Sequence, residues 1–80
     1  MFINKSSDGK NNICGEKISQ CRTRLKISQR ALADRMQLEG YSMDKNAIQR
    51  IESGKRFITD IELIGFARAL NISLNELFDL

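Results

Sequence analysis

Apolar residues recur at intervals of three and four along most of this chain, which is the spacing of helices that bury one face. Five segments carry the pattern, at about 13–25, 28 to 36 or 38, 45–53, 59–70 and 73–78. No segment alternates apolar and polar residues as a strand does, and no internal repeat is visible. The sequence therefore predicts an all-α fold, a compact bundle of about five short helices.

Residues with capping chemistry stand where these segments begin and end. Thr59 and Glu62 match the capping box, in which each side chain binds the backbone N–H of the other residue. Gly40, Gly54 and Asn71 suit the left-handed conformation that ends many helices. The residues predicted to cap helix N-termini are Asn11 or Asn12, Ser28, Asp44, Thr59 and Ser73.

The apolar stripes of these segments predict the core. Its members are Ile13, Ile18, Cys21 and Leu25 in the first segment, Leu32, Ala33 and Met36 in the second, Ile48 and Ile51 in the third, and Leu63, Phe66 or Ala67, and Leu70 in the fourth. Cys14 and Cys21 would lie about 10 Å apart on one helix, farther than the roughly 7 Å that a disulfide spans. We expect two apolar packing residues with free thiols, which indicates a reducing compartment such as the cytoplasm.

Length and composition exclude several classes of protein. The 80 residues make one domain, whose small core leaves little room for a deep enzyme pocket. The chain has no His, which excludes Ser/His/Asp and Cys/His catalysis, and its two Cys do not supply the usual zinc ligands. No apolar run approaches the roughly 18–20 residues that cross a bilayer. We expect a non-enzymatic protein outside the membrane, with no metal and no cofactor.

Charge is unevenly distributed along the chain, whose formal net charge is +3. Residues 1–56 carry twelve Lys and Arg against six Asp and Glu, whereas residues 57–80 carry one Arg against four acids. A basic patch on a small domain is the usual electrostatic footprint of a nucleic-acid-binding protein. A solvated surface of mixed charge would produce the same distribution, so charge alone leaves both interpretations open.

Three stretches of sequence together form a recognisable pattern: ISQCRTRLKISQRALADRM at 18–36, AIQRIESGKR at 47–56 and LIGFARALNISLNELF at 63–78. The pattern resembles the Cro/cI-like (xenobiotic-response-element, Xre) helix-turn-helix family of phage repressors and bacterial transcriptional regulators. The resemblance covers about residues 13–80 and implies a lambda-repressor-like DNA-binding domain there. Residues 1–12, which are polar and without periodicity, are predicted to form a flexible N-terminal arm.

The resemblance implies a sequence-specific, repressor-like transcriptional regulator whose third helix, about 45–53, lies in the major groove of DNA. Ile48 and Ile51 would face the core. The exposed residues expected to read base edges are Lys45, Asn46, Gln49 and Arg50. Arg and Lys pair with guanine, and Asn and Gln pair with adenine, so these residue types suit the role.

The resemblance also assigns contacts to the DNA backbone and one contact inside the protein. The implied phosphate-binding residues are Gln29, Arg30, Lys55 and Arg56, although Lys45 could also bind a phosphate. Gln29 would brace the recognition helix as well. Arg22 and Glu52 would form a structural ion pair between the first helix and the third.

Two features depart from the family pattern. Eleven residues lie between Met36 and Ile48, about five more than in compact phage repressors. The link 37–44 therefore either extends the second helix by about a turn or makes an excursion around Gly40 and Tyr41. Lys26 follows the first helix where the family usually has Gly, which predicts a strained C-cap.

The implied partner is double-stranded DNA, and such regulators usually bind as two-fold dimers. The apolar residues near the chain end either form a dimer contact or close the core: Leu74, Leu77, Phe78 and Leu80. An alternative function is a protein-interaction module, such as the antitoxin of a toxin–antitoxin pair. Its partner surface would be the acidic residues Asp60, Glu62, Glu76 and Asp79.

Overall fold

The computed structural model describes residues 4–78. Within that range the chain forms α1 (Gly15–Arg24), α2 (Gln29–Leu38), α3 (Lys45–Glu52), α4 (Asp60–Leu70) and α5 (Leu74–Phe78), and it contains no strand. The predicted all-α fold of about five short helices is confirmed. No helix in this range has the length and apolar character needed to cross a membrane.

Helices α2 to α5 begin at the capping residues that the sequence predicts, whereas the N-cap position of α1 is Cys14 and not Asn11 or Asn12. Ser28 and Asp44 each accept a hydrogen bond from the backbone N–H three residues on, at 3.0 and 2.8 Å. Thr59 and Glu62 form the complete capping box at the start of α4. Because these bonds satisfy N–H groups that have no partner inside the helix, they determine where each helix starts.

The core is built from one face of each helix. The fully buried side chains are Ile18, Leu32, Met36, Ile48, Ile51, Phe66, Leu70 and Leu77. The prediction was wrong for Ile13 and Leu25, which are 68% and 42% exposed. Since α1 spans only Gly15–Arg24, both residues lie outside the helix and do not follow its period. Cys14 is buried instead, as is Cys21, and both thiols are free.

Of the two conformations predicted for the link between α2 and α3, the chain adopts the excursion around Gly40 and Tyr41. Helix α2 continues to Leu38, and the chain then reverses at Gly40, whose φ is +93°. The N–H of Tyr41 donates to the carbonyl of Met36 at 2.9 Å, and that of Gly40 donates to the carbonyl of Gln37 at 3.0 Å. These are the two bonds of a Schellman motif, which needs a left-handed residue at the position of Gly40.

A second Schellman motif ends α1, with Lys26 in the left-handed position at φ +59°. Its two bonds are Ile27 N–H to the Arg22 carbonyl at 3.3 Å and Lys26 N–H to the Thr23 carbonyl at 2.9 Å. A residue with a Cβ is strained in this conformation, whereas glycine is not. The strained cap predicted at Lys26 is therefore present.

The predicted N-terminal arm is attached to the domain at its last residues. The backbone N–H of Asn11 donates to the Gly54 carbonyl at 2.8 Å, and its side chain donates to the Lys55 carbonyl at 3.0 Å. The bound part of the chain therefore starts before residue 13. Flexibility of the rest of the arm stays a prediction, and residues 1–3 lie outside the described range.

Candidate nucleic-acid interface

Helix α3 presents a polar face to solvent and an apolar face to the core. Ile48 and Ile51 are completely buried. The four residues predicted to read bases are all exposed: Lys45, Asn46, Gln49 and Arg50. Because the two isoleucines are three residues apart, they anchor the helix along one side and leave the opposite side open.

Both ends of α3 are held by local structure. Asp44 caps its first turn, and Met43 immediately before it is buried, with 3% of its surface exposed. At the other end Gly54 adopts φ +79°, and the Lys55 N–H donates to the Arg50 carbonyl at 2.8 Å in a third Schellman motif. The exposed face of α3 is therefore bounded by two defined turns.

A groove between α2 and α3 brings together residues that are far apart in sequence. Arg30, near the start of α2, and Lys45, at the start of α3, both line it. The other residues that line the groove are Ala33, Asp34, Gln37 and Asp44. Of its two acids, Asp44 is committed to capping α3. The groove therefore places the exposed cation of Arg30 beside Lys45, the first of the predicted base-reading residues.

The carboxylate of Glu52 joins three helices. It accepts hydrogen bonds from Arg22 Nε at 2.7 Å and Arg22 Nη2 at 3.1 Å, and from Gln29 Nε2 at 3.0 Å. Only 7% of the Glu52 side chain and 17% of the Arg22 side chain are exposed. Arg22 also donates through Nη1 to the Ile27 carbonyl at 2.9 Å. Helices α1, α2 and α3 are thereby tied together at the C-terminal end of α3.

The two basic residues after α3 have different surroundings. Lys55 is exposed, as its predicted role at the DNA backbone requires. Arg56, which was predicted to play the same role, forms two parallel bonds to Glu62 at 3.1 and 3.2 Å and a third to the Phe57 carbonyl at 3.0 Å. The side chain of Arg56 therefore holds the start of α4 rather than extending into solvent.

The pKa of Glu62 reflects this arrangement. Burial by itself would raise the pKa, but hydrogen bonds from Arg56 and Thr59 and the positive charge of Arg56 outweigh it, so the pKa lies below its ordinary value. The carboxylate is thus ionised and occupied by contacts within the protein. Of the other residues in the proposed acidic partner surface, Asp79 lies outside the described range.

Asn12 has a structural role that the sequence did not predict, since it was named only as one of two candidate N-caps for the first helix. Its Oδ1 accepts from the Gly15 N–H at 2.8 Å, and its Nδ2 donates to the carbonyls of Ile51 at 3.0 Å and Arg56 at 2.8 Å. It thus binds the first N–H of α1 and the end of α3 at once, although the N-cap position itself is Cys14. The sequence shows two Asn residues before an apolar stripe, which indicates a cap. It does not indicate that the side chain of Asn12 also binds carbonyls about 40 residues away.

Two further side chains that join separate elements were not predicted. Gln37 on α2 donates through Nε2 to the Met43 carbonyl at 2.8 Å, which attaches the link before α3 to α2. Arg35 donates to the Ala69 carbonyl at 3.0 Å near the end of α4. Among residues 4–78 there is no cluster of acidic, Cys or His side chains suited to a metal ion.

Comparison with known proteins agrees with this geometry. The helix-turn-helix family model matches residues 18–77, which run from α1 into α5. The crystal structure of the restriction-modification controller protein C.AhdI from Aeromonas hydrophila superposes with a TM-score of 0.72 and 28% sequence identity. The match covers 81% of this chain and 87% of that one. No curated protein sequence matches.

The family model spans well over half of the chain, and within that span α2 and α3 adopt the arrangement that the family name describes. The exposed polar face of α3 and its buried isoleucines agree with the same assignment. The chain belongs to the Cro/cI-like helix-turn-helix family and is a DNA-binding transcriptional regulator.

Proposed function

We propose that α3 enters the major groove of double-stranded DNA and reads its sequence, so that the protein represses or otherwise regulates transcription at specific sites. The observation that carries this proposal is the pairing of two completely buried isoleucines with an exposed polar face on the same helix. A helix held from behind in this way is able to insert into a groove as a rigid body.

The base-reading residues are Asn46, Gln49 and Arg50. They are three and four positions apart, so they share one face of α3. An Arg side chain donates two parallel hydrogen bonds to the O6 and N7 of guanine, and Asn and Gln bond to the N6 and N7 of adenine. Lys45, at the first position of α3 and beside Arg30 in the groove, binds either a base or a phosphate.

Lys55 and the start of α2 contact the DNA backbone. The amide nitrogen of Gln29 carries two hydrogens, and one of them bonds to Glu52, which leaves the second for a phosphate oxygen. The first N–H groups of α2 add donors that favour an anion. Arg30 adds a positive charge, whereas Arg56 supports α4 through Glu62 and is not assigned a phosphate.

The regulator acts as a two-fold dimer that uses the outer face of α4. Three large apolar side chains are exposed there and just before it: Phe57 at 55%, Ile61 at 65% and Ile64 at 44%. The end of the chain exposes less apolar surface for a dimer contact. Leu77 is buried and Phe78 packs on the core, although Leu74 is 42% exposed. Leu80 lies outside the described residues.

The charge pattern of α4 suits pairing with a second copy of the same helix. Asp60, Ile64 and Arg68 are four residues apart and exposed, so they form one row along the helix. If two copies cross antiparallel at Ile64, Asp60 of one copy faces Arg68 of the other, twice by symmetry. This row is therefore self-complementary, as an isologous interface must be.

Selection of bound sequences from random duplex DNA, followed by titration at several salt concentrations, tests the DNA-binding proposal. We expect one enriched sequence with two-fold symmetry and affinity that falls linearly with the logarithm of salt concentration. Recovery of a stable protein partner, with no salt-sensitive DNA binding, would favour the interaction-module alternative.

Sedimentation of charge variants tests the dimer. Asp60→Arg alone and Arg68→Asp alone should each weaken self-association, and the double variant should restore it. Ile64→Lys should give a monomer, whereas Leu38→Lys, at a position that is 89% exposed on α2, should not. A dimer that survives Ile64→Lys would rule out this face.

A further inference from the structure

We infer that the packing of the Tyr41 ring on Gly65 sets the direction of α3, which makes Tyr41 a positioning residue for sequence reading. The inference rests on the proposed DNA-binding role of α3. A Cβ placed on Gly65 would lie 2.5 Å from Tyr41 Cε2 and 2.8 Å from both Cδ2 and Cζ. No side chain fits there, so the ring lies directly against the backbone of α4.

The contact fixes the middle of the link between α2 and α3. Upstream, the Tyr41 N–H is bonded to the Met36 carbonyl at the end of α2. Downstream, Met43 is buried, and its carbonyl accepts from Gln37 Nε2 at 2.8 Å. The link therefore has three attachments to the domain: the end of α2, the face of α4 and the side chain of Gln37.

The link is close enough to α3 to control where the helix points. Lys45 lies four positions after Tyr41, so their Cα atoms are at most about 14 Å apart. The two ends of α3 are held by different contacts. Its C-terminal end is bound by Arg22, Gln29 and Asn12, whereas its N-terminal end joins a link whose only ring in contact with α4 is Tyr41.

Loss of the ring should therefore let the N-terminal half of α3 shift while its C-terminal half stays in place. That half carries Lys45 and Asn46, and bonds between side chains and bases weaken steeply with misalignment. Phosphate contacts made by Lys55 and the start of α2 lie outside the affected half. The expected consequence is a loss of sequence discrimination with little change in general DNA affinity.

Four variants test the inference: Tyr41→Ala, Tyr41→Phe, Gly65→Ala and the double variant Tyr41→Ala/Gly65→Ala. Each is titrated with the selected duplex and with an unrelated duplex, and its thermal midpoint is measured separately. Tyr41→Ala should lower affinity for the selected duplex about tenfold, comparable to one lost base contact, and leave the unrelated duplex unchanged within about twofold. Tyr41→Phe, which keeps the ring, should match the parent.

If Tyr41 acts through Gly65, the effects of the two substitutions on sequence discrimination should not add. Gly65→Ala should reduce discrimination as Tyr41→Ala does, because the new methyl displaces the ring. In the Tyr41→Ala background the same change should have no further effect, since the ring is already absent. Additive effects, or equal losses on both duplexes, would overturn the inference.

A spectroscopic measurement separates failure of this inference from failure of the proposed function. In the DNA-free protein, the ring of Tyr41 should shift the Gly65 Hα resonances upfield, and Tyr41→Ala should abolish the shift. An absent shift overturns the packing while leaving DNA binding by α3 intact. If the shift is observed but the protein selects no DNA sequence, the proposed function is wrong, and so is the role of Tyr41 in sequence reading.

Discussion

Arg22 on α1 and Glu52 on α3 form a two-bond ion pair, with Nε to Oε2 at 2.7 Å and Nη2 to Oε1 at 3.1 Å. The pair lies behind the C-terminal end of α3, the proposed recognition helix, with most of both side chains buried. Gln29 on α2 donates to the same carboxylate. One acidic side chain thus links the three helices that build the candidate interface.

Glu52→Ala should destabilise the fold by about 3–5 kcal/mol, because it leaves the Arg22 guanidinium without its partner in a mostly buried position. This is a large share of the roughly 5–15 kcal/mol that holds a small domain together. Urea unfolding measures the change. The exposed acid Asp34 on α2 serves as the control, and Asp34→Ala should change stability by less than about 0.5 kcal/mol. A parent-like unfolding midpoint for Glu52→Ala would contradict the assignment.

Arg50→Ala should relax base preference at one position of the bound sequence by about 1–3 kcal/mol. The reason is that Arg50 is exposed on the outer face of α3, where its guanidinium can form two bonds to one guanine. Competition between duplexes that differ at single positions measures the effect. A uniform loss across all positions would show that Arg50 binds phosphate instead.

Lys55→Ala provides the contrast, because the residue lies past the end of α3 and is proposed to bind only phosphate. All duplexes should weaken alike, and the slope of log affinity against log salt concentration should flatten by about one unit. Arg24→Ala, which removes an equal charge beside a cleft between α1 and the α4–α5 turn, should leave the slope unchanged. Equal slopes for the Lys55 variant and the parent would remove Lys55 from the interface.

Lys26→Gly should stabilise the protein by about 1 kcal/mol. Lys26 is held at φ +59°, where its Cβ is crowded, and glycine relieves that strain while keeping both Schellman bonds. Asn71→Gly is the matched comparison at φ +56°, and its gain should be smaller because Asn tolerates the left-handed conformation. Denaturant midpoints show which of the two variants gains more stability. A loss of stability in Lys26→Gly would show that the Lys26 side chain makes a favourable contact that outweighs the backbone strain.

Acid should weaken the junction between α3 and α4 through Glu62. Its pKa is lower in the folded protein than the ordinary value of 4.5, so its stabilising effect is present above that pH and is lost as the pH falls through the folded pKa. Glu62→Gln should therefore be less stable than the parent at pH 7 by about 1 kcal/mol, and the gap should close as the pH falls below 4.5 and through the lowered folded pKa.

Unfolding curves collected between pH 7 and pH 3 measure that gap. Glu39→Gln, at an exposed position after α2, should show no comparable closing. A gap between Glu62→Gln and the parent that stays constant with pH would mean that ionised Glu62 does not stabilise the fold.

Much of this molecule was predictable from residues that are neighbours in sequence. Helix starts at Ser28, Asp44 and Thr59 depend on a side chain bonding to an N–H three residues away, so a short window of sequence contains both partners. The outward face of α3 follows in the same way from the spacing of Ile48 and Ile51. Local chemistry and helical periodicity therefore determined the elements and the face available to DNA.

Tertiary structure decided which distant groups meet. Arg56 bonds to Glu62 because the turn after α3 brings it to the capping box of α4, and the sequence offers no rule for choosing between that carboxylate and a phosphate. Asn12 binds carbonyls about 40 residues away. Tyr41, which lies in the unusually long link between α2 and α3, packs on Gly65 of α4. Such contacts depend on how whole helices pack, and hydrophobic periodicity specifies which face a helix buries but not which residue of another helix it touches.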